Sequence, residues 1–180
     1  VNRTYKVNVR LDDGSEKSFL VQNVNTYAFR NPIGLMNNID LVTEHIRKKC
    51  PDRCSLHFHH TADRKTYLLD GENFWRVMNY IHSASYSTTT DLGILRNAGR
   101  AFGEFQTQLS DFDIGLLIDT IPNFHNTRSR YENLQQAIAE DRMGRAASVQ
   151  PEIEYAMSIQ DTACTLTDMA ARGDLPLRVT

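Results

Sequence analysis

The sequence predicts an α+β fold: a small antiparallel sheet carrying one helix, followed by the first helices of a mainly helical lobe. Three observations carry that prediction. Period-2 alternation of apolar and polar residues is confined to the first half, apolar stripes at helical spacing fill the second, and Gly/Asp/Asn clusters separate the strands. In the first half, Tyr5, Val7 and Val9 alternate with Lys6, Asn8 and Arg10, the pattern of a half-buried strand. Asp12-Asp13-Gly14 is a turn, because Gly takes positive φ without penalty. Ser18–Val24 is then the returning strand of a hairpin.

Asn31-Pro32 predicts a helix start, with Asn as cap and Pro in the first helical position. Leu35, Ile39, Val42 and Ile46 form one apolar stripe, and Lys48, Lys49 and Pro51 end the helix. Leu56–His60 and Lys65–Leu69 read as two strands around Ala62-Asp63-Arg64. After the Asp70-Gly71-Glu72-Asn73 turn, Phe74–Ile81 reads as a longer strand. Residues 83–90 are small and polar and read as a linker between lobes 1–82 and 91–180. Helices are expected over Asp91–Leu109, about Ser129–Asp141, and Pro151 to Gly173, a natural C-terminal cap. In the first, Leu95, Ala98, Phe102, Phe105 and Leu109 share a face, and Gly99 and Gly103 leave room for a close neighbour. Leu175–Thr180 reads as the beginning of another strand, whose unpaired edge could pair with a second chain.

Composition narrows the class. The 180 residues carry 20 Lys+Arg and 22 Asp+Glu, are 41% apolar and include three cysteines. A chain of this length buries about 70% of its unfolded surface and needs no disulfide or metal staple. The values exclude low-complexity disorder, collagen and a cysteine scaffold. A net charge of −2 lacks the basic bias of a nucleic-acid binder. No apolar run is long enough to span a membrane, and Val1–Lys6 does not resemble a signal peptide. With an odd cysteine count, the expected compartment is the reducing cytoplasm. Charge is uneven: residues 1–90 hold 12 Lys+Arg and 9 Asp+Glu, whereas 91–180 hold 8 and 13.

Cys50, Cys54, His57, His59 and His60 could be read as a zinc cluster. Strand alternation divides them, however, placing Leu56, Phe58 and His60 on one face and His57 and His59 on the other. Solvated histidines and reduced cysteines are the expected reading. Asp161, Cys164 and Asp168 lie at helical spacing, but no histidine follows His125 to activate the thiol. Asp111 and Asp113, with Glu104, flank a helix end where polar residues are common. No G-x-G-x-x-G and no G-x-x-x-x-G-K-[ST] is present. No catalytic residue and no metal ligand is assigned.

Several segments nevertheless carry a resemblance, in order, over nearly the whole chain. They are Thr4-Tyr5-Lys6-Val7, residues 31–43, Trp75-Arg76-Val77, Ala101–Gln106, Phe124-His125-Asn126-Thr127, Gly144–Ala147, Gln150–Ile153 and Leu177–Thr180. Together they resemble N-acetylhexosamine 1-kinases, of the aminoglycoside phosphotransferase and choline kinase group with a protein-kinase-like fold. The resemblance implies ATP and Mg as cofactors of the parent enzyme and a sugar as its substrate. It also implies that the first strand, most of the nucleotide loop, the His-x-Asp catalytic loop and the metal-binding Asp lie outside this chain, which alone would be inactive. Met78, Asn79, Tyr80 and Ile81 would form the hinge beside adenine, with Met78 as the gating side chain and the Asn79 and Ile81 backbones bonding the base. Gln22 falls where such kinases place a phosphate-pairing Lys or Arg, and Asp40 where the helix acid that pairs with it belongs. The alternatives are a non-catalytic binding or regulatory module on the same scaffold, or a related kinase acting on an aminoglycoside or choline.

Overall fold

The computed structural model describes residues 1–51 and 56–179. It is an α+β protein, with one four-stranded antiparallel sheet and five α-helices. The strands are β1 (Arg3–Arg10), β2 (Glu16–Asn23), β3 (Leu68–Asp70) and β4 (Asn73–Asn79), in the spatial order β1-β2-β4-β3. The helices are α1 (Pro32–Lys49), α2 (Leu92–Gln108), α3 (Thr127–Glu140), α4 (Gln150–Ser158) and α5 (Gln160–Arg172). Among the described residues, no helix is long and apolar enough to cross a membrane.

Local chemistry explains most of the element ends. The β1–β2 hairpin closes through Gly14, at φ +82°, whose N–H bonds to the Leu11 carbonyl at 2.9 Å. Asn31 caps α1 by accepting the Gly34 N–H at 2.9 Å, Pro32 occupies the first turn, and Arg47, Lys48 and Lys49 sit in the last. Gly34 is required by close approach: a Cβ there would lie 2.3 Å from Ile118 Cδ1 and 2.6 Å from Asn31 Nδ2. Gly71, at φ +57°, turns β3 into β4.

The core lies between one sheet face and α1. Val24, Met36, Phe58, Phe74 and Met78 are buried together, with Leu20, Phe29, Leu35, Ile39 and Tyr67 packed around them. Met36 is fully buried although it lies outside the expected Leu35–Ile46 stripe; Ile46 is the buried member of that stripe. Strand alternation places Leu20 and Gln22, opposite Met78 and Arg76, on the helix side.

The structure corrects several expectations. β1 is exposed along its whole length, not half-buried, because it is an edge strand whose apolar side chains are left uncovered by the described residues. Leu56–His60 is not a full strand: Phe58 makes an isolated bridge to Met78, flanked by His59 N–H to Val77 O and Asn79 N–H to His57 O. The Thr61–Lys65 turn follows at once and carries the chain off the ladder. The Lys65–Leu69 strand contracts to Leu68–Asp70. The single helix expected from Pro151 to Gly173 is two, broken at Ile159, where the Ser158 hydroxyl bonds back to the Tyr155 carbonyl. Gly173 ends α5 in the left-handed conformation, as expected. Of the strand expected over Leu175–Thr180, residues 175–179 pair with no other strand among the described residues, and Thr180 lies outside them.

The chain forms two compact units, Val1–Ile121 with Arg178–Thr180, and Pro122–Leu177. Residues 83–90 have no helix or strand, yet α2, expected to open the second lobe, belongs to the first unit. In the second unit, Arg128 on α3 grips Asp168 on α5 with two bonds, of 2.9 and 2.5 Å. The Tyr131 hydroxyl donates to the Ala156 carbonyl at 2.9 Å, and Cys164 is fully buried.

Candidate functional site

The residues singled out from sequence lie along β2, β4 and α1, all in the first unit. β4 reads Phe74-Trp75-Arg76-Val77-Met78, and alternation sends Phe74, Arg76 and Met78 to the helix face. Met78 is buried in the core beside Leu20. Asn79 ends the strand; its side-chain oxygen meets His59 Nε2 at 2.8 Å. Tyr80 retains one sheet contact, its N–H to the Ser18 carbonyl at 3.3 Å, and the Lys6 ammonium stands 4.3 Å from its ring centre. Beyond it the chain leaves the sheet, and Ile81 is about half exposed. The four hinge candidates thus occupy the point where a buried strand becomes an open connection.

Gln22 and Asp40 are not brought together. Gln22 is bound within the sheet: its side-chain oxygen accepts from Arg76 Nε at 2.9 Å and its amide donates to the Thr4 hydroxyl at 3.0 Å. Asp40 instead faces His60, with Oδ1 3.3 Å from Nε2. The residue that α1 does present to Arg76 is Met36, whose sulfur lies 3.7 Å from Nη1.

Arg76 is the feature that sequence reasoning passed over. Its guanidinium lies over Phe58, 5.3 Å from the ring centre, and burial lowers its pKa from the ordinary value. No carboxylate among the described residues pairs with it. The signal was present: a cation at a core-facing position between Phe74 and Met78 breaks an otherwise apolar alternation.

The histidines divide as strand alternation predicts for Phe58 and His60, which turn toward α1. His57 and His59 contact each other edge-to-face at 4.9 Å, and His59 also meets Phe19. Burial, with the neighbouring charge of His59 second, holds His57 below the usual imidazole range. Cys54 lies outside the described residues. Among those described, no group of three or more His, Cys, Asp or Glu is placed to hold a metal ion.

Asp111 has a structural role, accepting from Lys49 Nζ at 2.6 Å and facing His45 Nε2 at 3.1 Å. Those two bonds, Lys49 first, bring its pKa down to about 2. Asp113 caps a short 3₁₀ turn through the Gly115 N–H. Asp168 is held by Arg128, and buried Cys164 has no histidine in its unit except His125, which meets Phe124 edge-to-face at 4.3 Å. No family model matches the chain.

Proposed function

We propose that the chain is the nucleotide-side portion of an ATP-dependent small-molecule kinase whose acceptor is the anomeric hydroxyl of an N-acetylhexosamine. The observation that supports this reading is the β2–β4 register. Leu20 lies opposite Met78 and Gln22 opposite Arg76, and the chain departs from the sheet just after Asn79. A buried side chain at a strand end, followed by free-running backbone, is the arrangement needed to stack a flat base and meet its edge with peptide groups.

In the parent enzyme the acceptor oxygen forms its bond to the γ-phosphorus as the bond to the β-phosphate oxygen breaks. ADP leaves, and the hydroxyl proton passes to a general base. The part proposed for these residues is to bind and orient adenine through the backbone at Asn79 and Ile81, beside Met78.

Calorimetric titration with ATP tests the reading. The wild-type chain is expected to bind ATP, and Ile81→Pro, which deletes one peptide N–H outside the sheet, should weaken binding at least tenfold with an unchanged circular dichroism spectrum. No binding by the wild type, or equal binding by Ile81→Pro, would reject it.

A further inference from the structure

A cavity of about 640 Å³ opens between α1, α2 and the helix face of β4, within the first unit. Its walls are mostly apolar, with Val42 and Ile46 from α1, Phe58 beside β4, Phe105 from α2 and Leu117 from the loop after α2, and with Asn38, Thr43, Gln108 and Arg76 as the polar members. That volume lies in the range of small-molecule sites. Polar ties at both ends keep the walls apart. Toward the start of α1, Asn38 Nδ2 donates to the Ile118 carbonyl at 2.7 Å and its oxygen accepts the Ile118 N–H at 3.1 Å. At the end of α1, Lys49 holds the Gln108 carbonyl at 3.1 Å and Asp111 at 2.6 Å. Collapse of the cavity would break both sets of bonds.

Of the described residues lining this space, Arg76 is the charged one. Its partners among the described residues are neutral: the Gln22 amide oxygen, the Met36 thioether and the Phe58 ring. A partly buried guanidinium whose partners among the described residues are neutral has given up part of its hydration, and it forms its strongest bonds with a carboxylate. We infer that this cavity is a binding site for a small organic acid, with an aliphatic or aromatic body against Val42, Ile46 and Phe105 and its carboxylate on Arg76. The site is separate from Met78–Ile81 and stands without the nucleotide reading.

A matched pair of probes tests it: 4-phenylbutyrate and 4-phenylbutan-1-ol, which share a body and differ in the head group, titrated by calorimetry against the intact chain. The acid should bind at least tenfold more tightly than the alcohol, and Arg76→Met should abolish that preference. Val42→Trp, which fills the cavity without touching Arg76, should weaken the acid at least tenfold and serves as the readout if Arg76→Met does not fold. The inference is overturned if the two probes bind wild type alike, if neither binds, if the preference survives in Arg76→Met, or if Val42→Trp binds the acid undiminished. It is also overturned if inorganic phosphate displaces the acid at equal concentration, since the body would then contribute nothing.

Discussion

α1 and α2 are helices of 18 and 17 residues in the same compact unit, each with an apolar stripe and an Asn or Asp cap, yet they end in opposite environments. α1 buries Gly34, Met36 and Ile46 and closes the core. α2 buries no residue: Phe102 is 75% exposed and Leu95 49%. A Cβ placed on Gly99 or Gly103 would meet nothing within 4 Å, so the neighbour expected against those glycines is not supplied by the described residues. Helical periodicity records that a face is apolar; a sheet face within reach is what turns it into core. α1 lies in sequence between β2 and the β3–β4 hairpin, and β2 pairs with β4, so the connection lays it across them. α2 follows a connection over 81–91 that joins no strand and is free of that constraint.

The largest expected effect breaks this contrast directly. Met36→Ala should lower the unfolding free energy by about 2–5 kcal/mol, since it empties a fully buried position. Phe102→Ala, on the exposed face of α2, should change it by less than about 0.5 kcal/mol. Urea unfolding of the two variants side by side measures the difference, and equal losses would mean that α2 is covered in solution. A smaller effect isolates the start of α1. Asn31→Ala removes the cap on the Gly34 N–H and should cost about 1 kcal/mol by the same measurement.

The smallest effect concerns the tie between the end of α1 and the loop after α2. Asp111 titrates at about 2 in the fold against an ordinary 3.8, because Lys49 and His45 bond to its charged form. A carboxylate depressed by folding stabilises the fold above its unfolded value, and the contribution fades as pH falls from about 4 toward 2. Asp111→Asn should therefore flatten the stability profile slightly in that window and leave its slope above pH 5 unchanged. Because Asp111 is solvent-exposed, salt should shrink the difference.

The hairpin, the Asn31 cap, the basic end of α1, the Gly71 turn and the Gly173 terminus were legible because each rests on chemistry between near neighbours in sequence. Met78 was legible as a buried strand residue for the same reason. Arg76 and Met36 were not, since their environment depends on the register of β2 against β4 and the rotation of α1 over the sheet, both set by packing. The pairing of Asp40 with His60 crosses from α1 to the bridge segment, and no local pattern encodes it. The division of the last helix at Ile159 was missed because neither Pro nor Gly marks it, and a serine hydroxyl competing for a carbonyl is a weak signal.

What the residues decided alone was the α+β class and the sequence of hairpin, capped helix and later helices, because periodicity and turn chemistry act over a few positions. Tertiary structure decided which apolar faces became core and which cation lay between them. Burial requires a partner surface, and the partner is chosen by strand register and connection geometry, not by the pattern on either element.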